Sequence, residues 1–393
     1  KDYYMIIIYN MNFLEELELA FKTPMPKGRQ LKERSIINII SKLRILWEHF
    51  KIEDEGLECL KDVEKVHEFL KSRYTKTNSR KTAISNITTI LSPFGRDKWV
   101  VGFEETGLKY RAILTQYAED IEANAINQVA SKKDSDNWTS SYNLKKVVAI
   151  LKNKIRQKGY NSLTGKRFKP IPADKLTKHR NLIRDYMVGM LYTSGHNQRN
   201  IYGDMEVVTN KDYNMLPIKD QQKNYLVIFN KHRKEFRIGS GKERWKYVRC
   251  GDGTMSKKIW QGVSVLPINK ELNIALNLYL NYHKDYPYLL TNGVGKPLGS
   301  DALGKLIKKI FSSTGKDIGS SLIRKILYSE QFANDSTIVE KLDASKEMGN
   351  TPNVAQKYYL KPDMVKNLNL HTANKYTYVA TKKKEISTTD LFN

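Results

Sequence analysis

The chain has 393 residues, with 67 Lys and Arg against 42 Asp and Glu, a net charge of +25. At roughly 100–200 residues per domain this length predicts two or three domains, with cores large enough to stand without disulfide staples. A hydrophobic fraction of 40% and 23 tyrosines exclude a fully disordered chain, and the two cysteines, Cys59 and Cys250, exclude a disulfide framework and a multi-cysteine zinc site.

In chain order, the apolar run 3–9 is too short to span a bilayer and lacks the small-residue cleavage pattern of a signal peptide. The sequence opens on Lys1 rather than Met, as expected of a missing or processed N-terminus. Residues 34–50 place Ile36, Ile40, Leu43, Trp47 and Phe50 at three- and four-residue steps, which predicts an amphipathic helix. Segments 63–72 and 79–91 read the same way, the second with Asn78 or Ser79 to cap it and Pro93 to help end it. A longer helix is predicted after Gly107, over 107–130. Residues 1–130 therefore read as an all-helical domain, and the polar stretch 131–137 as a linker. A second region, 138–361, opens with helical patterns at 141–158 and 178–194. The period then changes. Runs at 224–230 and 235–239 predict a hairpin turning on residues 231–234, and 262–268 a third strand. The Gly-rich basic segment 239–261 reads as a loop or a longer hairpin. Helical patterns return at 270–284, 300–313, 319–333, 336–348 and 352–360, and Pro362 stops the last. A C-terminal segment, 362–393, closes on a loose tail. The fold class expected is α+β and mostly helical, with a small antiparallel sheet in the second domain.

A surplus of cations must stay solvated, and a polyanion is its natural partner. Every phosphate neutralised by Lys or Arg releases counterions, so double-stranded DNA gains affinity from such a surface. The basic residues are spread along the chain, with clusters at 132–133, 152–169, 231–246 and 382–384. That spread suits wrapping a duplex better than a single basic tail does. Lys132, Lys133, Arg233, Lys234 and Lys242 are the candidate DNA contacts. An ordinary solvated surface is the plain alternative, and membranes or acidic proteins are other users of such charge. The scattered His196, His232 and His283 lack metal-ligand spacing, and no Gly-Lys-Ser/Thr opens a helix after a strand, so neither a metal site nor a phosphate loop is read.

Four stretches of the second region gain meaning together. Residues 190–205 (MLYTSGHNQRNIYGDM) put Arg199 beyond a helix and a glycine turn. The hairpin carries Lys231, with Lys234 its close rival. Residues 319–328 (GSSLIRKILY) put Arg324 in an apolar helix, where burial demands a partner. Residues 348–359 (MGNTPNVAQKYY) are a Met-Gly turn and a short helix ending in Tyr358 and Tyr359. Taken singly, Arg199, Lys231 and Tyr359 are ordinary surface or packing residues. Their order and spacing resemble the catalytic domain of the tyrosine recombinases, the phage integrase family. That family has an arginine after a helix-turn, a β-hairpin lysine, a His-x-x-Arg helix, a Gly-His turn, and a tyrosine usually nine residues after that histidine. Tyr359 lies nine residues after Asn350 and so stands at the nucleophile position. Ser321 and Asn350 stand where the family has its two histidines, and Tyr202 stands where an acidic residue often follows the first arginine. Among members, the chain looks most like divergent ones from eukaryotic DNA viruses and mobile elements.

The residue types suit phosphoryl transfer. A tyrosine hydroxyl can attack a phosphodiester and hold it covalently, so rejoining needs no ATP. Two guanidiniums can fork onto the crowded, anionic transition state. A lysine can protonate the departing 5′-oxygen. Ser321 and Asn350 can donate hydrogen bonds but cannot titrate near neutral pH as histidine does. Cations do this work, so no metal or other cofactor is called for. The resemblance implies a site-specific recombinase or integrase acting through a 3′-phosphotyrosine, with Tyr359 as nucleophile and Arg199, Arg324, Lys231, Asn350 and Ser321 around it. It implies a core-binding N-terminal domain that clamps the duplex with the catalytic one, and a homo-tetramer on DNA. It also implies a C-terminal segment, including Met364, Val365 and Leu368, that docks on a neighbouring protomer or packs on its own domain. The nucleus is the expected site if the chain is eukaryotic or viral, otherwise the cytoplasm. Two rivals stay open: a type IB topoisomerase-like enzyme, and a degenerate recombinase kept for DNA binding.

Overall fold

A computed structural model describes residues 13–22, 31, 33–51, 56–93, 99–157, 173–240, 244–249, 256–283, 286–332, 337–348 and 350–367. Lys242, Gly349, Cys250, Leu368, the run 3–9, the lysines at 382–384 and most of the cluster after residue 157 lie outside the described residues. The chain forms two compact units, Lys1–Asn127 and Gln128–Asn393.

The first unit carries α1 (Phe13–Lys22), α2 (Glu33–Phe50), α3 (Val63–Arg73), α4 (Thr77–Leu91) and α5 (Glu104–Ile126). Their apolar stripes meet in one core. Ile36, Ile40, Leu43 and Trp47 of α2 bury with Ile84, Ile87 and Leu91 of α4 and Tyr110 of α5. Asp62 starts α3 by accepting a hydrogen bond from the Lys65 N–H at 3.0 Å. The last helix begins three residues ahead of Gly107, which falls inside its first turns. The Trp99 ring lies so close there that a Cβ at position 107 would overlap it. Glycine at 107 therefore answers a packing need and does not mark the helix start.

Near the start of the second unit lies 131–137, read from the sequence as a linker. It contains a short helix, α6 (Lys132–Asp136), whose first turn is capped by the Ser131 hydroxyl. This segment is tied into its own unit by Asp134 Oδ2 on Lys325 Nζ at 2.6 Å and by Asn137 Oδ1 on the Asp317 N–H at 2.7 Å. Then follow α7 (Ser141–Gln157), α8 (Ala173–Thr193), β1 (Glu206–Thr209), α9 (Asn210–Asn214), β2 (Asn224–Ile228), β3 (Lys234–Ile238), β4 (Trp245–Arg249), β5 (Ser256–Trp260) and β6 (Ser264–Pro267). The chain continues with α10 (Lys270–Asn281), α11 (Ser300–Phe311), α12 (Ser320–Phe332), α13 (Ile338–Glu347), α14 (Pro352–Tyr359) and α15 (Pro362–Asn367).

The sheet has the order β1-β2-β3-β6 and is mixed, because β1 runs parallel to β2 while the other pairs are antiparallel. Leu226 stands opposite Phe236, and Phe236 opposite Leu266. These three side chains are buried with Tyr186, Val188 and Leu191 of α8 and with the apolar faces of α10, α11 and α12. The segment expected as a loop or longer hairpin holds a separate two-stranded antiparallel ladder, β4 with β5, in which Trp245 and Trp260 are register partners. The chain is thus mostly helical with a small mixed sheet. Met364 of α15 packs against the main core of its own chain.

Candidate active site

α12 is the element on which the site is built. Leu322, Ile323 and Ile326 turn into the main core, whereas Tyr328 and Phe332 join Met348, Ala355, Tyr359 and Leu360 in a smaller apolar cluster. Arg324 lies between these faces and is only 2% exposed. α14 is set by local chemistry: Thr351 caps its N-terminus, Pro352 occupies the first turn, and Leu360 leaves in an extended conformation. The eight-residue helix delivers Tyr359 to α12. The Arg324 guanidinium lies 4.4 Å from the centre of the Tyr359 ring, in cation–π contact. The preceding residue, Tyr358, is turned toward solvent and 39% exposed, against 7% for Tyr359.

The turn between α13 and α14 closes the cluster. Arg324 Nη2 donates to the Met348 carbonyl at 3.0 Å, and Asn350 Nδ2 donates to the same oxygen at 3.1 Å. The Asn350 N–H donates to Ser345 O at 2.9 Å. Asn350 Oδ1 faces Arg199 Nη2 at 3.5 Å, the outer limit of a hydrogen bond. Arg199 is exposed and begins a 3₁₀ turn over Asn200–Asp204. That turn is anchored from below by Tyr202, fully buried, whose hydroxyl donates to the His196 carbonyl. Tyr202, at the position where the family often has an acid, is therefore a packing residue under the turn.

Burial pulls the Arg324 guanidinium below its ordinary value, the Tyr359 phenol acts in the opposite sense, and the charge of Arg199 adds to the lowering. A guanidinium nevertheless stays charged in proteins. Among the described residues no acidic side chain pairs with Arg324 or Arg199. Arg324 Nε is buried and has no hydrogen-bond partner. Two cations that raise each other's energy, with one donor unused, are the setting in which an anion such as a phosphate is stabilised.

The structure thus brings together Tyr359, Arg324, Asn350 and Arg199. Among the described residues, no hydrogen bond, ion pair or ring contact links Ser321 or Lys231 to that group. Ser321 is exposed on α12, one turn before Arg324, and Lys231 is exposed at the β2–β3 turn. Of the cations expected on DNA, Lys132, Lys133 and Arg233 are exposed, Lys133 faces Asp317 at 3.4 Å, and Arg233 lies over the Phe229 ring at 4.2 Å. Lys234 is a correction. It is only 4% exposed, and its ammonium is held by Asn273 and Asn277, so it faces α10 and not solvent. Burial lowers it to about 8.

Sequence reasoning missed Ser329. Its buried hydroxyl donates to the Tyr359 carbonyl at 3.0 Å and accepts from the Lys361 N–H at 2.8 Å, joining the end of α14 to α12. The signal was faint: a small polar residue five positions after Arg324, on the helix that was already singled out. Among the described residues, no three His, Cys, Asp or Glu side chains stand close enough to hold a metal ion.

No protein-family model matches the sequence, and no curated protein is significantly similar to it. A solved structure described as the crystal structure of XerA recombinase is similar at 12% identity, over 89% of this chain and 96% of that one, with a TM-score of 0.32. At that TM-score the likeness carries no weight for fold or function.

Proposed function

We propose that this chain is a site-specific recombinase that cleaves and rejoins double-stranded DNA, with Tyr359 as nucleophile and a 3′-phosphotyrosine as intermediate. The observation that carries this reading is the meeting of Arg199, Arg324 and the Tyr359 ring. These residues span 160 positions of sequence, and the cluster they form has two cations and no acidic partner among the described residues. The net charge of +25 supports a polyanionic substrate.

In this mechanism the Tyr359 hydroxyl attacks the phosphorus while Arg199 and Arg324 hold the non-bridging oxygens. Their charge offsets the negative charge that grows in the transition state. Lys231 gives a proton to the departing 5′-oxygen. Asn350 orients Arg199, and Ser321 is available as a hydrogen-bond donor. Strand exchange between two sites would take a tetramer on DNA.

The test is covalent trapping on a pool of nicked duplexes of randomised sequence, followed by mapping of the modified peptide. Wild type and Tyr358→Phe should give adducts and Tyr359→Phe none, while DNA binding stays nearly intact in all three. Adducts lost in Tyr358→Phe and kept in Tyr359→Phe would move the nucleophile. DNA binding without cleavage is a second reading. One observation favours it: Asn350, which stands at a histidine position, already commits both ends of its amide to Met348 and Arg199. Tight binding with no adduct under any condition would establish that reading.

A further inference from the structure

The β2–β3 turn is held from outside the sheet. Within the turn, Asn230 Oδ1 accepts from the N–H groups of His232 and Arg233 at 2.8 and 2.9 Å. From α10, Asn273 Nδ2 and Asn277 Nδ2 both donate to the Lys231 carbonyl, at 3.2 and 2.9 Å. Asn273 Nδ2 also lies 3.3 Å from the His232 carbonyl. From β3, Lys234 Nζ donates to the same Lys231 carbonyl at 3.0 Å and to Asn273 Oδ1 and Asn277 Oδ1 at 2.8 and 2.6 Å. All three ammonium protons of Lys234 are thereby used. The two asparagines are four residues apart and so share one face of α10.

Hairpin turns on a surface are ordinarily mobile. Burying an ammonium to hold one is costly unless every proton is matched, as it is here. The cage fixes the backbone of residue 231 and leaves the side chains of Lys231, His232 and Arg233 exposed. We propose that Lys234, Asn273 and Asn277 are positioning residues that fix the point from which Lys231 reaches the scissile phosphate. This rests on the phosphotyrosine reading given above. In the step concerned, the Tyr359 Oη–P bond forms and the P–O5′ bond breaks. The proton on Lys231 Nζ passes to O5′, and the phenol proton leaves to water. A lysine whose backbone wanders cannot make that transfer efficiently, because general-acid catalysis depends on hydrogen-bond reach.

The test compares two forms of a duplex bearing the cleavage site mapped with wild type. One has oxygen, the other sulfur, at the bridging 5′ position of the scissile phosphate. A sulfur leaving group needs no proton, so a defect that acts through Lys231 disappears on it. Asn277→Ala should slow cleavage of the oxygen form by about 10-fold or more, since a misplacement near 1 Å costs roughly 10²-fold. On the sulfur form its rate should return to within about threefold of wild type, and Lys231→Ala should show the same pattern more strongly. Arg324→Ala should stay slow on both. Asn277→Asp provides an independent variant. It keeps an acceptor for Lys234 and loses the donor to the Lys231 carbonyl, and the same pattern is expected. With wild-type adducts present, equal slowing of the asparagine variants on both substrates, or no slowing on either, overturns the clamp alone. Failure of sulfur to rescue Lys231→Ala overturns it too, by removing Lys231 as the acid. Absence of any wild-type adduct overturns the phosphotyrosine reading itself.

Discussion

Replacing Ser329 by alanine isolates what holds the end of α14 in place. The hydroxyl satisfies two backbone groups at once, the Tyr359 carbonyl at 3.0 Å and the Lys361 N–H at 2.8 Å. Ser329 is fully buried, and residues 359–361 are all buried beside it. Water therefore has poor access to either orphan. A buried polar group left without a partner costs about 1–3 kcal/mol, so Ser329→Ala, which orphans two, should lose about 2–6 kcal/mol in all. Urea unfolding followed by circular dichroism measures this directly, independent of any activity. The same loss frees the end of α14; on the proposed reading, a shift of the phenol by about 1 Å would slow adduct formation roughly 10²-fold. Unfolding within about 0.5 kcal/mol of wild type would refute the reasoning, since it would mean that the two backbone groups find other partners at no cost.

Three further outcomes are expected. Burial holds the His196 imidazole down at about 4, from an ordinary 6.5, so the unfolded chain takes up a proton that the folded chain refuses. The stability it contributes is present above pH 6.5 and lost as pH falls toward 4, by up to about 3 kcal/mol; the gap in unfolding free energy between wild type and His196→Phe should shrink accordingly between pH 7 and 4.5, and a gap that is constant with pH would contradict this. A Cβ on Gly203 would stand 2.6 Å from the Gly299 carbonyl oxygen, so Gly203→Ala should lower the urea midpoint by an amount worth about 1–3 kcal/mol. On the proposed reading, Arg199→Lys and Arg324→Lys should each slow cleavage by roughly 10²-fold or more, because a point charge cannot form the fork; wild-type rates in both would remove these residues from the site.

Much of the helical framework was legible in the chain. The patterns over 141–158, 270–284 and 352–360 match α7, α10 and α14 to within a few residues, because each has an apolar stripe and a cap or a proline at an end. The hairpin was legible from its two β-rich runs. β1 was not: four residues reading Glu-Val-Val-Thr carry no period of their own, and parallel pairing with β2 exists only in the folded sheet. The helix in 131–137 was hidden by its polarity, since its order comes from Ser131, Lys325 and Asp317 and not from an apolar face. At the site, the resemblance in order and spacing to the tyrosine recombinases pointed to Arg199, Arg324, Asn350 and Tyr359, four residues that the structure brings together. The sequence favoured Lys231 over Lys234 only by its place after the apolar strand; the burial of Lys234 was not legible, because it depends on two asparagines some forty residues downstream.

The cluster around Arg324 also has an order of birth. Arg199, Arg324, Asn350 and Tyr359 leave the ribosome in that sequence, so Tyr359 is the last of the four. A chain that ends between residues 127 and 359 holds the whole first helical unit but not Tyr359. On the proposed reading, a prematurely terminated chain that stops short of residue 359 can occupy DNA without damaging it. Cutting power arrives only when α14 folds back onto α12, so translation itself delays the hazard until the scaffold that restrains it is made.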